Sequence, residues 1–191
     1  MRNPLMTGER VYLRPLEAGD AEVFAQHAAA ETETMMHRGR EPESPLGLER
    51  WIAKLHEQQP PANIELAVCL RDGDQLIGSV GLEDIDWVNR TAETGSWLTL
   101  PEYRGRGYGT EAKHLLLEYA FEVLHLHALM STVWEPNTRS AAALAKQGYR
   151  PAGRLRWHDV KDGVYRDLLV FDVTRAEWLA ARAAWQASRR Q

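Results

Sequence analysis

Three glycines at alternate positions, Gly105, Gly107 and Gly109, stand in the run Arg104-Gly105-Arg106-Gly107-Tyr108-Gly109-Thr110, between an alternating apolar stretch and the most strongly helical stretch of the chain. A segment of that kind brings the free N–H groups and positive dipole end of a helix to one place, where an anion can sit. Glycine admits positive φ and lets backbone approach a ligand closely, and Arg104 and Arg106 add mobile positive charge suited to phosphate. The chemistry indicated is capture of a diphosphate; the alternative is a glycine-rich turn with two solvated arginines. A Walker loop would need Gly-Lys followed by Ser or Thr, and the dinucleotide fingerprint wants Gly or Ala where Thr110 stands. Neither nucleotide motif is met.

Other reactive residue types carry less. His125 and His127 close a helix beside the next strand with no third ligand nearby in sequence, so no metal is expected. Cys69 lies in an alternating strand without a His or Asn pattern to mark a nucleophile, and reads as core.

The elements that must hold the glycine segment follow from periodicity. Arg10–Arg14 alternates as a strand before Pro15, and Asp20 caps a helix to about Thr32 whose stripe is Ala21, Phe24, Ala25 and Ala28. Leu48, Trp51, Ile52 and Leu55 mark a second helix, stopped by Pro60-Pro61. Two alternating runs, Ile64–Leu70 and Leu76–Leu82, flank the turn Asp72-Gly73-Asp74 as a hairpin, and Thr91–Leu100 supplies a further strand. After the glycines, Ala112, Leu115, Leu116, Tyr119, Ala120, Val123 and Leu124 keep helical spacing, with Glu111, Lys113, Glu118 and Glu122 expected on the opposite, polar face. A strand over Leu129–Trp134 and a helix over Asn137–Gln147 with Gly148 at its exit come next. A hairpin from Tyr149 to Val173 turning at Asp162-Gly163 then leads to an Ala-rich helix over 174–190. Hairpins mixed with crossover helices require a mixed sheet, hence an α/β fold.

Composition bounds the function. The chain has 191 residues, 23 Lys+Arg against 27 Asp+Glu, a formal net charge of −4 and one Cys. No clustered basic excess points to nucleic acid, no apolar run approaches the roughly 20 residues of a membrane helix, and no secretory-signal core opens the chain. The expectation is a cytoplasmic protein with no membrane or nucleic-acid partner. It is read as one domain over residues 1–191, with a core over about 8–173 and a C-terminal helix over 174–190.

The string Arg104-x-x-Gly-x-Gly resembles the pyrophosphate-binding signature of the GNAT superfamily of acyl-CoA-dependent N-acyltransferases. Ala92–Leu98 with Tyr103–Ala112, Asn137-x-x-Ser140 with Gly148-Tyr149, and the stretches Arg10–Asp20 and Gly78–Leu82 are similar to its RimJ/RimL-type branch, whose founding members acetylate N-terminal amines of ribosomal proteins. The resemblance covers most of the chain. It implies a twisted mixed sheet of about seven strands, flanked by helices and split between its fourth and fifth strands, with acetyl-CoA inserted at the split.

By the same resemblance, main-chain groups of Trp97, Leu98 and Thr99 pair with pantetheine, the Leu98 N–H faces the thioester oxygen, and Arg104, Gly105, Arg106, Gly107, Tyr108, Gly109 and Thr110 hold the diphosphate. Asn137 contacts the cofactor arm or simply caps its helix. Ser140 protonates the departing thiolate or bonds to backbone. The superfamily's usual Tyr acid, seven residues after the Asn, is here Leu144. Glu93 is the first candidate base, with Glu83, Asp84 and Asp86 as rivals and pairing with an Arg as the structural alternative. Trp87, His37, Trp157, His158 and Tyr165 fall where the family places its acceptor wall.

The function implied is an acetyl-CoA-dependent N-acetyltransferase that passes acetyl directly to a primary amine, a protein N-terminal α-amine by branch resemblance. A small amine such as a polyamine or aminoglycoside stays open as acceptor, as does a catalytically silent acyl-CoA-binding module, which Leu144 keeps in view. The terminal helix, with Trp178 and Trp185, covers either its own domain or a homodimer interface.

Overall fold

The computed structural model describes residues 1–30, 44–161 and 163–188. Eight strands form one sheet in the order β1-β2-β3-β4-β5-β6-β8-β7. They are β1 (Met6–Thr7), β2 (Val11–Pro15), β3 (Ile64–Leu70), β4 (Leu76–Asp86), β5 (Thr91–Leu98), β6 (Ala128–Trp134), β7 (Arg150–Lys161) and β8 (Val164–Thr174). The helices are α1 (Asp20–Ala30), α2 (Pro45–Leu55), α3 (Tyr108–Glu118), α4 (Thr138–Lys146) and α5 (Arg175–Ser188), and α3 runs on into a single π-helical turn over Tyr119–Val123.

Alternation along the strands sorts the core onto two faces. Leu13, Leu66, Val68, Val80, Leu82 and Ala92 pack with Ala112, Leu115 and Leu116 of α3 and with Trp178 of α5, while Tyr12, Ala67 and Cys69 pack with Ala21 and Phe24 of α1 and Ile52 of α2. The second face is pinned by a buried bidentate pair, in which Arg14 donates to both carboxylate oxygens of Asp20 at 2.7 Å. Asp20 was expected as a helix cap. It is instead the first residue of α1, and its carboxylate accepts from Arg14 and from the Glu17 N–H.

Every pairing in the sheet is antiparallel except that of β5 with β6. This parallel ladder is brief, joining Thr91, Ala92 and Glu93 to Ala128, Leu129 and Met130. Beyond it both strands continue unpaired to each other, so the sheet forks. Side chains tie the fork: Thr94 Oγ1 donates to Met130 O at 3.2 Å, Ser131 Oγ donates to Thr94 O at 2.9 Å, and the Tyr149 hydroxyl lies 2.6 Å from Thr94 Oγ1. The extra two-residue strand β1, invisible to periodicity, moves the split from the fourth and fifth strands to β5 and β6.

The elements otherwise follow the sequence pattern, with one instructive difference on α3. Glu111 and Lys113, assigned by spacing to a solvated face, are each only 1% exposed. The helix is covered on more than one side: the sheet takes its apolar stripe, the start of β2 takes Glu111, and α5 lies along it with Arg182 paired to Glu118 at 2.5 Å. The terminal helix lies on its own fold, with Trp178 against Phe121 at 5.5 Å between ring centroids. No described helix is long and apolar enough to cross a membrane.

Candidate active site

β5 delivers the chain to the glycine segment through one 3-10 turn over Pro101–Tyr103, and α3 begins at Gly107, whose φ of 83° lies in the left-handed region that favours glycine. The first helical bond runs from the Glu111 N–H to Gly107 O at 3.1 Å, which leaves the N–H groups of the first turn without intrahelical acceptors. Glu111 fixes this turn in place. Its carboxylate accepts from the Arg10 N–H at 2.8 Å and from Arg10 Nε at 3.1 Å, while Arg10 Nη1 donates to Arg106 O at 2.9 Å and its guanidinium lies 4.7 Å from the centre of the Tyr108 ring. Arg10 and Glu111 are braces of the glycine loop that the motif did not reveal; the signal available was an acidic residue at the opening of a helix.

The arginines and glycines of the motif divide their work. Arg104, expected as a mobile phosphate ligand, turns back to donate from Nε to Leu98 O at 3.0 Å and from Nη2 to Thr99 O at 3.3 Å, locking the loop to the end of β5. Arg106 is exposed on the loop. Gly109 gives room to a side chain, since a Cβ there would meet Leu98 Cδ1 at 3.3 Å.

Beyond the fork, one edge of β5 remains bonded to β4. The Thr99 N–H donates to Ile77 O at 3.0 Å, so by antiparallel alternation Thr99 and Trp97 turn their main-chain groups to β4, while Leu98 and Ser96 turn theirs to the open edge. Of the expected trio Trp97, Leu98 and Thr99, only Leu98 offers main-chain groups to the gap, and its carbonyl is already taken by Arg104. Ser96 was not anticipated. The Trp97 ring stacks on Phe24 at 5.7 Å, on the face away from α3.

Across the gap, α4 starts at Asn137, whose side chain accepts from the Ser140 N–H at 3.1 Å. The helix-capping alternative for Asn137 is therefore what the geometry displays, and Ser140 stands half-buried in the first turn. Leu144 is buried in the main core, 4% exposed.

Glu93 sits at the last paired position of the fork and accepts from Thr132 Oγ1 of β6 at 2.5 Å. It has company. Glu83 lies directly opposite on β4, and its carboxylate lies beside Gly95, 2.9 Å from where a Cβ would stand. Glu65 of β3 pairs with Gly81, which pairs in turn with Gly95, and the Glu65 carboxylate occupies the space that a Gly81 side chain would need. Register places all three carboxylates on the face that carries α1 and α2. Lys113, buried in α3 on the other face, donates from Nζ to Gly95 O at 3.2 Å. Burial pushes the Glu65 carboxyl up to about 7, and burial pulls the Lys113 ammonium down to about 7 against the raising influence of Glu65, Glu83 and Glu93. Of the sequence rivals, Asp86 caps its own turn, accepting from Val88 and Asn89 N–H groups, and Asp84 is exposed at a φ of 49°.

The residues expected along the acceptor wall are spread out. Trp87 donates from Nε1 to Pro61 O at 2.9 Å and rests on the main core, whereas Trp157 and Tyr165 stand 74% and 62% exposed on the β7–β8 hairpin. His158 is on the same hairpin, 3.4 Å from Asp159. His37 lies outside the described residues.

A forked mixed sheet with a glycine-capped helix at the end of the fork has counterparts in solved structures. Mycobacterium smegmatis RimJ in complex with CoA-disulfide aligns over 97% of this chain and 96% of its own at a TM-score of 0.84 and 25% identity. The spermidine N-acetyltransferase of Vibrio cholerae in complex with CoA and spermine aligns over 88% of this chain and 98% of its own at a TM-score of 0.78 and 26% identity. In sequence, the spermidine N(1)-acetyltransferase of Escherichia coli (strain K12) is 32% identical over 109 residues, covering 57% of this chain and 58% of that protein. The acetyltransferase (GNAT) domain model matches residues 10–150, from the Arg10 support through the glycine loop and fork to the start of β7, and the chain belongs to that family.

Proposed function

We propose that this chain transfers the acetyl group of acetyl-CoA to a primary amine of a small polycation, of the polyamine class. The observation that carries the acceptor class is the row of Glu65, Glu83 and Glu93 that register places on one face of the sheet at the fork. The spermidine acetyltransferases among the relatives support the same class.

The residues present suit acetyl-CoA. A diphosphate matches the donors and dipole at the start of α3, with Gly107 and the N–H groups of Tyr108, Gly109 and Thr110 as holders and Gly105 and Arg106 beside them. The amide-bearing arm matches an open strand edge, where the Leu98 N–H and the main chain of Ser96 are available as an added strand would use them. The bound thioester supplies an acyl group activated toward amines.

The chain's own task is to make the amine neutral and hold it. At pH 7 an amine with a Lys-like pKa near ~10.4 lies over three units from neutrality, a penalty of about 4.6 kcal/mol. Glu93, on the strand that enters the fork, takes the proton as general base, and the Thr132 hydroxyl orients its carboxylate. Glu83 and Glu65 hold the remaining positive charge of the acceptor. Ser140, at the opening of α4, is the group that protonates the departing thiolate.

The test is thiol release from acetyl-CoA with acceptors of rising charge: a monoamine, a diamine, then spermidine. The reading expects kcat/KM to rise along the series; a flat series, or turnover confined to peptide N-termini, overturns it. An N-terminal peptide is the second reading, favoured by the RimJ likeness over nearly the whole chain.

A further inference from the structure

We propose that His27 is a positioning residue for acetyl-CoA, acting through Thr99 to hold the end of β5 against which the cofactor arm is added as a strand. The inference rests on acetyl-CoA docking at that edge and is independent of the acceptor class.

Beyond the fork, β5 pairs only with β4 among the described strands. Its outer edge carries the Leu98 N–H and the main chain of Ser96, while the Thr99 N–H holds the inner edge by donating to Ile77 O at 3.0 Å. A strand end paired on one side frays unless other contacts fix it, and an added strand then has to order it on binding. Arg104 fixes this end from the loop, at Leu98 O and Thr99 O. α1 fixes it from the face. Phe24 and His27, one helical turn apart, meet Trp97 and Thr99, which are two residues apart on the same face of β5. The Trp97 ring stacks on Phe24, and His27 Nδ1 lies 2.7 Å from Thr99 Oγ1.

The second of these contacts is directional. Thr99 is 1% exposed, and its hydroxyl stands between His27 Nδ1 and Ile77 O, the latter at 3.1 Å. Ile77 O already accepts from the Thr99 N–H, so His27 completes the bonding of the hydroxyl whether it gives or takes the proton. Burial lowers the His27 imidazole against the opposing pull of Glu102, so a neutral ring makes the contact at pH 7 and sets no charge beside the edge. His27 stands in the last turn of α1, and the first turn is anchored by the buried Arg14–Asp20 pair, so the helix that grips β5 has a fixed foot. Removing the imidazole leaves the Thr99 hydroxyl without its second partner and frees β5 from α1 at the residue beside Leu98. Cofactor affinity then falls, although the diphosphate donors of α3 are untouched.

The test is acetyl-CoA affinity, by calorimetry, in His27→Leu, His27→Asn and Thr99→Val. Loss of one partly buried hydrogen bond is expected to raise the dissociation constant about fivefold in His27→Leu. In His27→Asn the side-chain amide can stand where Nδ1 stands, to donate or accept, and affinity is expected to return to within about twofold of wild type. The double variant His27→Leu/Thr99→Val is expected to bind no more weakly than Thr99→Val, because the two groups act as a pair. Hydrogen exchange at the Thr99 amide of unliganded His27→Leu should quicken by a similar factor. If His27→Leu does not fold, Thr99→Val carries the measurement, with the same loss of affinity expected. A wild-type dissociation constant in the folded variant, an Asn variant no better than the Leu variant, or full additivity in the double variant overturns this inference alone. Absence of acetyl-CoA binding in wild type overturns the cofactor reading and this inference together.

Discussion

Gly107 and Glu93 are the two residues on which the proposed chemistry turns. Gly107 begins α3 in a left-handed conformation and leaves only 3.0 Å between a would-be Cβ and Arg10 Nη2. Gly107→Glu would strain the backbone and set a carboxylate among donors meant for a diphosphate. Calorimetry is expected to show acetyl-CoA affinity reduced by about 100-fold or more, roughly 2.7 kcal/mol; wild-type affinity would remove the diphosphate assignment. Glu93→Gln preserves shape and the contact with Thr132 but removes the base. It is expected to lower kcat by about 100-fold with acetyl-CoA affinity intact, and an unchanged kcat would pass the role to Glu83 or to water.

At the scale of elements, the base of the fork is tied by side chains as well as by the short parallel ladder. Tyr149→Phe removes the hydroxyl partner of Thr94 and is expected to cost about 1 kcal/mol in urea unfolding. The α1 end of the fold depends on a buried ion pair. Burial tends to raise Asp20, but the hydrogen bonds from Arg14 and the Glu17 N–H outweigh it and hold the carboxyl below its ordinary value. A lowered acid stabilises above its unfolded value, near ~3.9, and that stabilisation fades as pH falls through the folded value. Asp20→Asn, which leaves Arg14 buried without its counter-ion, is expected to cost about 3 kcal/mol at neutral pH. The gap from wild type should narrow in unfolding at pH 3; a constant gap would mean that the pair's charge contributes nothing.

Much of this was legible in sequence. Periodicity located the hairpins and helices, and the glycine motif with its Asn-x-x-Ser partner identified the family. Some of it was not. Spacing cannot tell a solvated polar face from one covered by a second layer, so Glu111 and Lys113 looked exposed while β2, α5 and the sheet bury them. Nor does a motif reveal which way a side chain turns: Arg104 braces β5, and the edge of Leu98 and Ser96 follows from a hydrogen-bond parity that only pairing with β4 defines. Glu65 and Glu83 converge because Gly81 and Gly95 are cross-strand neighbours, a relation set by register.

For the whole molecule, a net charge of −4 with carboxylates gathered at the fork favours a cationic partner over long range. Screening shortens that reach to about 8 Å at physiological ionic strength. The KM for spermidine should therefore rise several-fold between about 0.05 and 0.5 M salt while acetyl-CoA binding is less affected; a salt-independent KM would confine recognition to contact distance. The most direct test sets the two acceptor classes against each other. Purified protein is given acetyl-CoA with equimolar spermidine and an unblocked N-terminal peptide, and products are resolved by mass spectrometry. The account predicts acetylated spermidine as the dominant product, and a predominance of acetylated peptide would contradict it.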